Sequence, residues 1–253
     1  MTLEGRVALV SGGGRGIGKA IALGLAADGA DVAINYRRDE DAARETVGEI
    51  EGLGRKAAAY RASVDDVDED QAMVDELLST FGHVDILVNN AGIASRGGTV
   101  AKTDPAEVVR VIGTHAVGAH HLCRMLVPQM RQRERGDVVM ISSIATKAML
   151  GGGAPYNMAK AALEALALTL ANEEKTRGIR VNIVAPGLVD TEMGRRLVKG
   201  AMGVEDIRTL DNTMPFGRVC SPEEVAGVVR FLVSEAGSFI TGQRIYLDGG
   251  AGY

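Results

Sequence analysis

Short runs of β-branched and aliphatic residues recur along this chain, each followed by a longer stretch with helical periodicity, and no other feature restricts the fold so strongly. Residues 6–11, 31–36, 84–89, 137–142 and 179–185 predict strands, with weaker candidates at 56–62 and 244–247. The runs are nearly continuous in apolar character, as strands covered on both faces are. Residues 16–28, 39–52, 66–81, 105–131, 155–176 and 222–234 predict helices, and Asp104-Pro105 and Ser221-Pro222 each set a capping side chain ahead of a proline. Right-handed crossovers between such strands put helices on both faces, so the alternation predicts a doubly wound α/β sheet. No linker, repeat or low-complexity tract divides the 253 residues, so one domain over 1–253 is expected. Residues 191–218 break the rhythm. A long excursion after a strand's carboxyl end is a candidate substrate lid, the alternative being an ordinary surface insertion.

Composition narrows the function classes. Hydrophobic residues are 46% and charged residues 24%, which suits a buried core and argues against disorder. The 33 glycines, about twice the usual share of roughly 7%, show no collagen period. A net charge of −5 recommends no nucleic-acid or anionic-membrane partner. Cys123 and Cys220 cannot make a disulfide framework and lack metal-type spacing. No signal peptide is visible, nor any apolar run near the ~20 residues of a membrane helix. A soluble, cytoplasmic protein with no metal is expected.

Ser11-Gly12-Gly13-Gly14-Arg15-Gly16-Ile17-Gly18 directly follows the first strand and opens the first helix. Glycine permits the turn and lets backbone amides approach a pyrophosphate, while the helix N-terminus offers free N–H groups and partial positive charge. The strand–turn–helix setting favours a dinucleotide site over a merely tight turn. The second strand ends at Tyr36 and runs into Arg37-Arg38, with no acidic residue between Val32 and Arg38. An acid there would bind ribose hydroxyls, whereas arginine accommodates a 2′-phosphate. With Arg15 as a second positive centre, this pattern favours NADP (NADPH) over NAD. The alternative is that these arginines are solvated surface charges.

Ser143 stands at the end of a predicted strand, and Tyr156-Asn157-Met158-Ala159-Lys160 opens a predicted helix. Tyr156 and Lys160 share a face at i and i+4. A phenol with a pKa near 10 is a poor acid–base catalyst at neutral pH, and a neighbouring ammonium lowers that value. The serine hydroxyl can orient a substrate carbonyl. A Tyr-x-x-x-Lys spacing alone favours a structural role. The glycine loop upstream, and a serine thirteen positions before the tyrosine, turn it into a candidate catalytic set.

At these residues the chain resembles the short-chain dehydrogenase/reductase family, nearly end to end. The markers are the glycine loop, Asn89-Asn90-Ala91-Gly92 after a strand, Ser143, Tyr156 with Lys160, and Pro186-Gly187 after the sixth strand. Within the family it looks most like 3-oxoacyl-acyl-carrier-protein reductases and similar ketoreductases. The resemblance implies a single Rossmann domain with seven parallel strands, one nicotinamide cofactor and a homotetramer. It implies Tyr156 as general acid, Lys160 as holder of the nicotinamide ribose, and Ser143 as the carbonyl's anchor. Asn89, Ala91 and Gly92 would lie along the cofactor. Pro186, Gly187, Val189 and Thr191 would approach its nicotinamide end.

Two positions depart from the family pattern. His115, in Thr114-His115-Ala116-Val117-Gly118, stands where the family has a catalytic asparagine associated with a proton-relay water. Imidazole can donate, accept and shuttle protons near neutrality, so His115 either keeps the relay or only packs in its helix. Ser63-Val64 stands where relatives place an aspartate before the valine against adenine, so weaker adenine discrimination is expected. His120, His121 and Cys123 do not converge on a helix and suggest no metal. The basic run 131–135 is either a solvated helix end or a dock for an acidic acyl carrier protein. Residues 237–253 are too apolar for a free tail, and in the family such a segment packs at subunit interfaces.

The expected activity is NADPH-dependent reduction of a 3-oxoacyl thioester or related ketone to a secondary alcohol. The alternatives are an NAD-dependent sterol or polyol dehydrogenase and a catalytically silent cofactor-binding regulator.

Overall fold

Seven strands form one fully parallel sheet in the computed structural model, which describes residues 2–251. The strands are β1 (Val7–Val10), β2 (Asp31–Tyr36), β3 (Ala57–Arg61), β4 (Ile86–Asn89), β5 (Gly136–Ile141), β6 (Ile179–Pro186) and β7 (Arg244–Leu247), in the spatial order β3-β2-β1-β4-β5-β6-β7. Met1, Gly252 and Tyr253 lie outside the described residues, so the ends of the expected domain and of its apolar C-terminal segment go undescribed.

The five inner strands, β2, β1, β4, β5 and β6, are buried on both faces, and the edge strands β3 and β7 are half-buried. Leu9, Leu87, Val138 and Val181 point into one core layer, beneath α3 (Val67–Phe81), α5 (Gly118–Met130) and α7 (Ala154–Glu174). Ala8, Val10, Ile86 and Val139, one residue out of phase, point into the other, beneath α1 (Gly16–Ala27), α2 (Glu40–Gly52) and α9 (Pro222–Val233). Two-sided burial is why the strand sequences lack polar alternation. The chain leaves β1 toward β2 on one side and returns to β4 on the other. Their carboxyl ends therefore open a crevice at the topological switch point, where α/β sheets bind ligands.

Two expectations about elements change. The single helix over 105–131 is instead α4 (Pro105–Ile112), a π-helical turn at Gly113–Val117 and then α5. A side chain at Gly118 would meet the Val64 carbonyl at 2.4 Å, so this turn is pressed against the loop after β3. Residues 191–218, read from sequence without regular structure, hold α8 (Glu192–Met202) and a 3-10 helix at Ile207–Thr213. Only Gly194 and Val198 of α8 are buried, and its other apolar residues, Met193, Leu197 and Met202, face outward. A short α6 (Ala145–Ala148) also forms just after Ser143. Among the described residues, no helix is long and apolar enough to cross a membrane.

Candidate active site

The glycine loop wraps the carboxyl end of β1. A Cβ on Gly18 would stand 2.2 Å from the Gly12 carbonyl oxygen, so only glycine lets helix α1 start this close to the turn. Gly12 has a φ of +64°, a left-handed conformation that suits glycine. The N-terminus of α1 carries no side-chain cap and no acidic residue in its first turn. Its free N–H groups thus face outward as an anion cradle, and Gly12, Gly14, Arg15, Gly16, Ile17 and Gly18 fit a pyrophosphate. Asn90, which sequence reasoning passed over, holds the loop. Its Nδ2 donates to the Ser11 and Gly12 carbonyls at 2.9 and 3.2 Å, while the Ser11 hydroxyl accepts from the Asn90 and Ala91 amides at 3.0 Å each. The doubled asparagine after β4 is the signal that could have found it.

At the end of β2, Tyr36 is partly buried, and Arg37 and Arg38 are exposed without an ion pair among the described residues. Asp39, the nearest acid, caps α2 through Ala42 N at 3.2 Å. Arg15 pairs with Glu192 at 2.8 Å and lies 3.7 Å from Asp39. Ser63 is engaged with its own neighbours: its hydroxyl donates to Asp65 at 2.5 Å and its amide to Glu69 at 2.7 Å. Val64 is buried. Asn89 is buried too, its Nδ2 directed at the Cys123 sulfur 3.6 Å away.

Ser143, Tyr156, Lys160 and His115 come together at the carboxyl ends of β4 and β5. Lys160, 3% exposed, donates from Nζ to the Ile141 carbonyl at 2.7 Å, and this ammonium sits 5.7 Å from the centre of the Tyr156 ring. The Ser143 hydroxyl hydrogen-bonds the Tyr156 phenol. The His115 ring meets the Tyr156 ring edge-on, with centres 5.3 Å apart. A Cβ on Gly92 would stand 2.4 Å from His115 Cε1, so glycine here makes room for the imidazole. His115 Nε2 lies 2.9 Å from the Ile93 carbonyl and 3.1 Å from the Ile93 amide, while its buried Nδ1 has no partner among the described residues. It occupies the π-helical turn, a distortion that often marks functional positions.

Electrostatics correct two expectations. Burial and the nearby Lys160 push His115 down to about 3, so the imidazole is neutral across the physiological range. Burial also holds the Tyr156 phenol above its ordinary value, with the Ser143 hydrogen bond as the opposing influence. Lys160 falls to about 7 because it is buried, and Glu164 resists that fall. In the free chain, burial therefore outweighs the lowering pull of Ser143 on the phenol.

Beyond β6, Pro186 and Gly187 pair with the end of β7, and Val189 is buried beside Cys220. Thr191 caps α8 through Gly194 N at 3.0 Å, and its methyl would lie 3.4 Å from a Cβ on Gly16. The start of the expected lid thus rests on the glycine loop. The basic run is not a free patch: Arg131 pairs with Glu174, Arg133 with Asp85, and Arg135 with Asp137 and Glu235. His120 is exposed, His121 pairs with Asp70, and Cys123 is a buried free thiol, so these three do not converge.

The family model described as Enoyl-(Acyl carrier protein) reductase matches residues 12–252. The chain is 37% identical to the 3-oxoacyl-acyl-carrier-protein reductase FabG of Staphylococcus aureus (strain Mu50), over 96% of each chain. It is 36% identical to its namesake from Thermotoga maritima, over 99% of each. A crystal structure of a short-chain dehydrogenase from Burkholderia cenocepacia J2315 in complex with NADP superposes over 100% of both chains with a TM-score of 0.90 at 37% identity. With a nucleotide cradle at the switch point, a Ser-Tyr-Lys cluster beside it and likeness over almost the whole length, the chain belongs to the short-chain dehydrogenase/reductase family and is an oxidoreductase.

Proposed function

We propose that this oxidoreductase is an NADPH-dependent carbonyl reductase, taking a 3-oxoacyl thioester or related ketone to a secondary alcohol, reversibly. The observation that carries the reading is the gathering of Ser143, the Tyr156 ring and the buried Lys160 ammonium 5.7 Å from its centre, at the mouth of the glycine-loop crevice. When bound, the reduced nicotinamide supplies a hydride to the carbonyl carbon. Ser143 holds the carbonyl oxygen. Tyr156 passes its hydroxyl proton to that oxygen as negative charge develops there. A phenol pushed up by burial stays protonated, which suits the reducing direction. Lys160 holds positive charge beneath the ring, where it stabilises the phenolate left behind.

Exposed Arg37 and Arg38, with Asp39 committed to capping, support a 2′-phosphate. An apolar substrate is supported by the exposed Met149 and Leu150 before Tyr156, and by Met193, Leu197, Met202 and Phe216 beyond β6. Residues 191–218 act as the lid of a single domain. Val198, Ile207 and Val219 give that segment a small core of its own, separate from the two main layers. The reading also makes the enzyme a cytoplasmic homotetramer that accepts acyl groups on an acyl carrier protein.

Purified enzyme assayed on ketones and 3-oxoacyl thioesters tests the reading. Tyr156→Phe is expected to lower kcat at least 10²-fold, in line with the loss of a general acid, and to leave the NADPH Kd within a few-fold. Near-normal turnover by this variant removes the proton donor. A higher kcat/KM for NADH than for NADPH removes the 2′-phosphate assignment and favours the NAD-dependent alcohol dehydrogenase. Absence of turnover across the whole panel favours the silent regulator.

A further inference from the structure

We propose that Glu164 is a positioning residue for the Ser143–Tyr156–Lys160 set: its buried carboxylate fixes the turn that carries Ser143 and presents the negative charge facing Lys160. The inference rests on the roles just given to those three residues, and it assigns Glu164 no contact with substrate or cofactor.

Glu164 is 3% exposed. A carboxylate in such a place costs much unless its oxygens are satisfied, and a leucine would fill the space without that cost. Both oxygens are engaged. Oε1 accepts from the Ser142 hydroxyl at 2.6 Å and stands 2.9 Å from the Thr146 hydroxyl, and Oε2 pairs with Arg244 Nη2 of β7 at 2.6 Å. The Thr146 hydroxyl also lies 3.0 Å from the Ser143 carbonyl. Glu164 thus clamps the turn around Ser143 at both ends, through the residue before it and the helix after it.

Its place on α7 adds a second function. Glu164 follows Lys160 by four residues, one helical turn along the same face. Lys160 grips the Ile141 carbonyl while Glu164 grips Ser142, so the two side chains hold consecutive residues at the end of β5. The groups around Lys160 are Tyr156 and Glu164 on its own helix, and neutral His115 from the π-helical turn. Arg244 stands behind Glu164 on β7. Of these, Glu164 is the negative charge that opposes the loss of the proton from the desolvated lysine.

The sign follows. Carbonyl reduction needs a charged Lys160 and a protonated Tyr156, and both are lost as pH rises. Removing the Glu164 charge weakens proton binding at both, so the alkaline limb of activity moves to lower pH. Removing the Arg244 charge leaves the carboxylate uncompensated and moves it to higher pH.

The test uses 13C-lysine-labelled wild type, Glu164→Gln and Arg244→Met, with the Lys160 signal assigned by its loss in Lys160→Met. In Glu164→Gln the Lys160 titration midpoint is expected to fall by at least half a pH unit, with the alkaline limb of kcat/KM for NADPH-dependent reduction following it. In Arg244→Met both are expected to rise. A midpoint unmoved in both variants, with only a lower melting temperature, overturns the proposal and leaves Glu164 a packing residue. The NMR titration needs no turnover, so it decides on Glu164 even if the wild type reduces no carbonyl. That failure belongs to the proposed function alone.

Discussion

His115 shows how one residue's chemistry depends on its surroundings. An asparagine amide can donate to the Ile93 carbonyl and accept from the Ile93 amide at once, because it has separate N and O atoms. The single Nε2 of His115 faces both groups and satisfies one at a time, which leaves the choice to its tautomer. The sequence located this position but placed its pKa near neutrality. Burial and Lys160 remove that protonation, so a relay through His115 runs only by exchange between neutral tautomers. His115→Asn is therefore expected to change the height of the pH–kcat/KM profile while its limbs stay where they are between about pH 6 and 9. A displaced limb in this variant means that the imidazole titrates in that range. Ser143, Tyr156 and Lys160 were legible from their spacing taken together with the glycine loop upstream. Asn90 and Glu164 were not, because their value lies in tertiary contacts: Asn90 with the loop 78 or more positions back, Glu164 with Ser142, Thr146 and Arg244 at 22, 18 and 80 positions.

At the scale of elements, α3 and α5 meet at a buried acid. Asp70 is completely buried, with Oδ2 3.3 Å from His121 Nδ1 and Oδ1 without a partner among the described residues. Burial first, then Asp66, Asp65 and Glu69, raise it to about 7. The folded state therefore holds this proton more tightly than the unfolded chain, whose carboxyl titrates at 3.8. Stability from Asp70 is complete at low pH and is lost as pH climbs from about 4 toward 7. Asp70→Asn is expected to raise Tm at pH 8, by roughly 2–4 °C for each kcal/mol recovered, and to have little effect at pH 4. An equal Tm change at both pH values would mean that Asp70 titrates as it does when unfolded. Most helices were legible because caps and apolar period agree, as in the capping box of Ser221 and Glu224 on α9. The π-helical turn was not, since it arises from α5 pressing on the loop after β3. Nor was α8, which buries only Gly194 and Val198 and packs on a small core apart from the two main layers.

For the whole molecule, the two ends of the sheet have different tasks. The carboxyl ends gather glycines, hydroxyls and Lys160. The amino ends are tied by charge: Asp137 pairs with Arg6 at 2.7 Å, Arg135 at 3.1 Å and Arg180 at 2.5 Å. Arg135 of the basic run joins this network, while Arg131 and Arg133 pair with Glu174 and Asp85. Other surface is left for self-association. The outward stripe of α7 carries Met158, Ala165 and Leu168 ahead of the polar Asn172 and Glu173 at its end, beside exposed Val109 and Val117, and Phe239 is fully exposed. Apolar helix faces of this kind mark protein interfaces. Sedimentation equilibrium is expected to give four times the chain mass, and Leu168→Glu to shift it toward smaller species. A wild-type monomer at micromolar concentration rules the tetramer out.

The strand–helix alternation, two-sided burial, the anion cradle and the Ser-Tyr-Lys spacing were all written into the chain, because each depends on local pattern: continuous apolar runs, glycines after a strand, a four-residue helical step. The protonation of Tyr156, Lys160 and His115, the fate of the arginines at 131–135 and the clamp around Ser143 came from folding. Desolvation and ion pairing join groups far apart in sequence, and their strength depends on burial and distances that exist only once the chain has closed on itself.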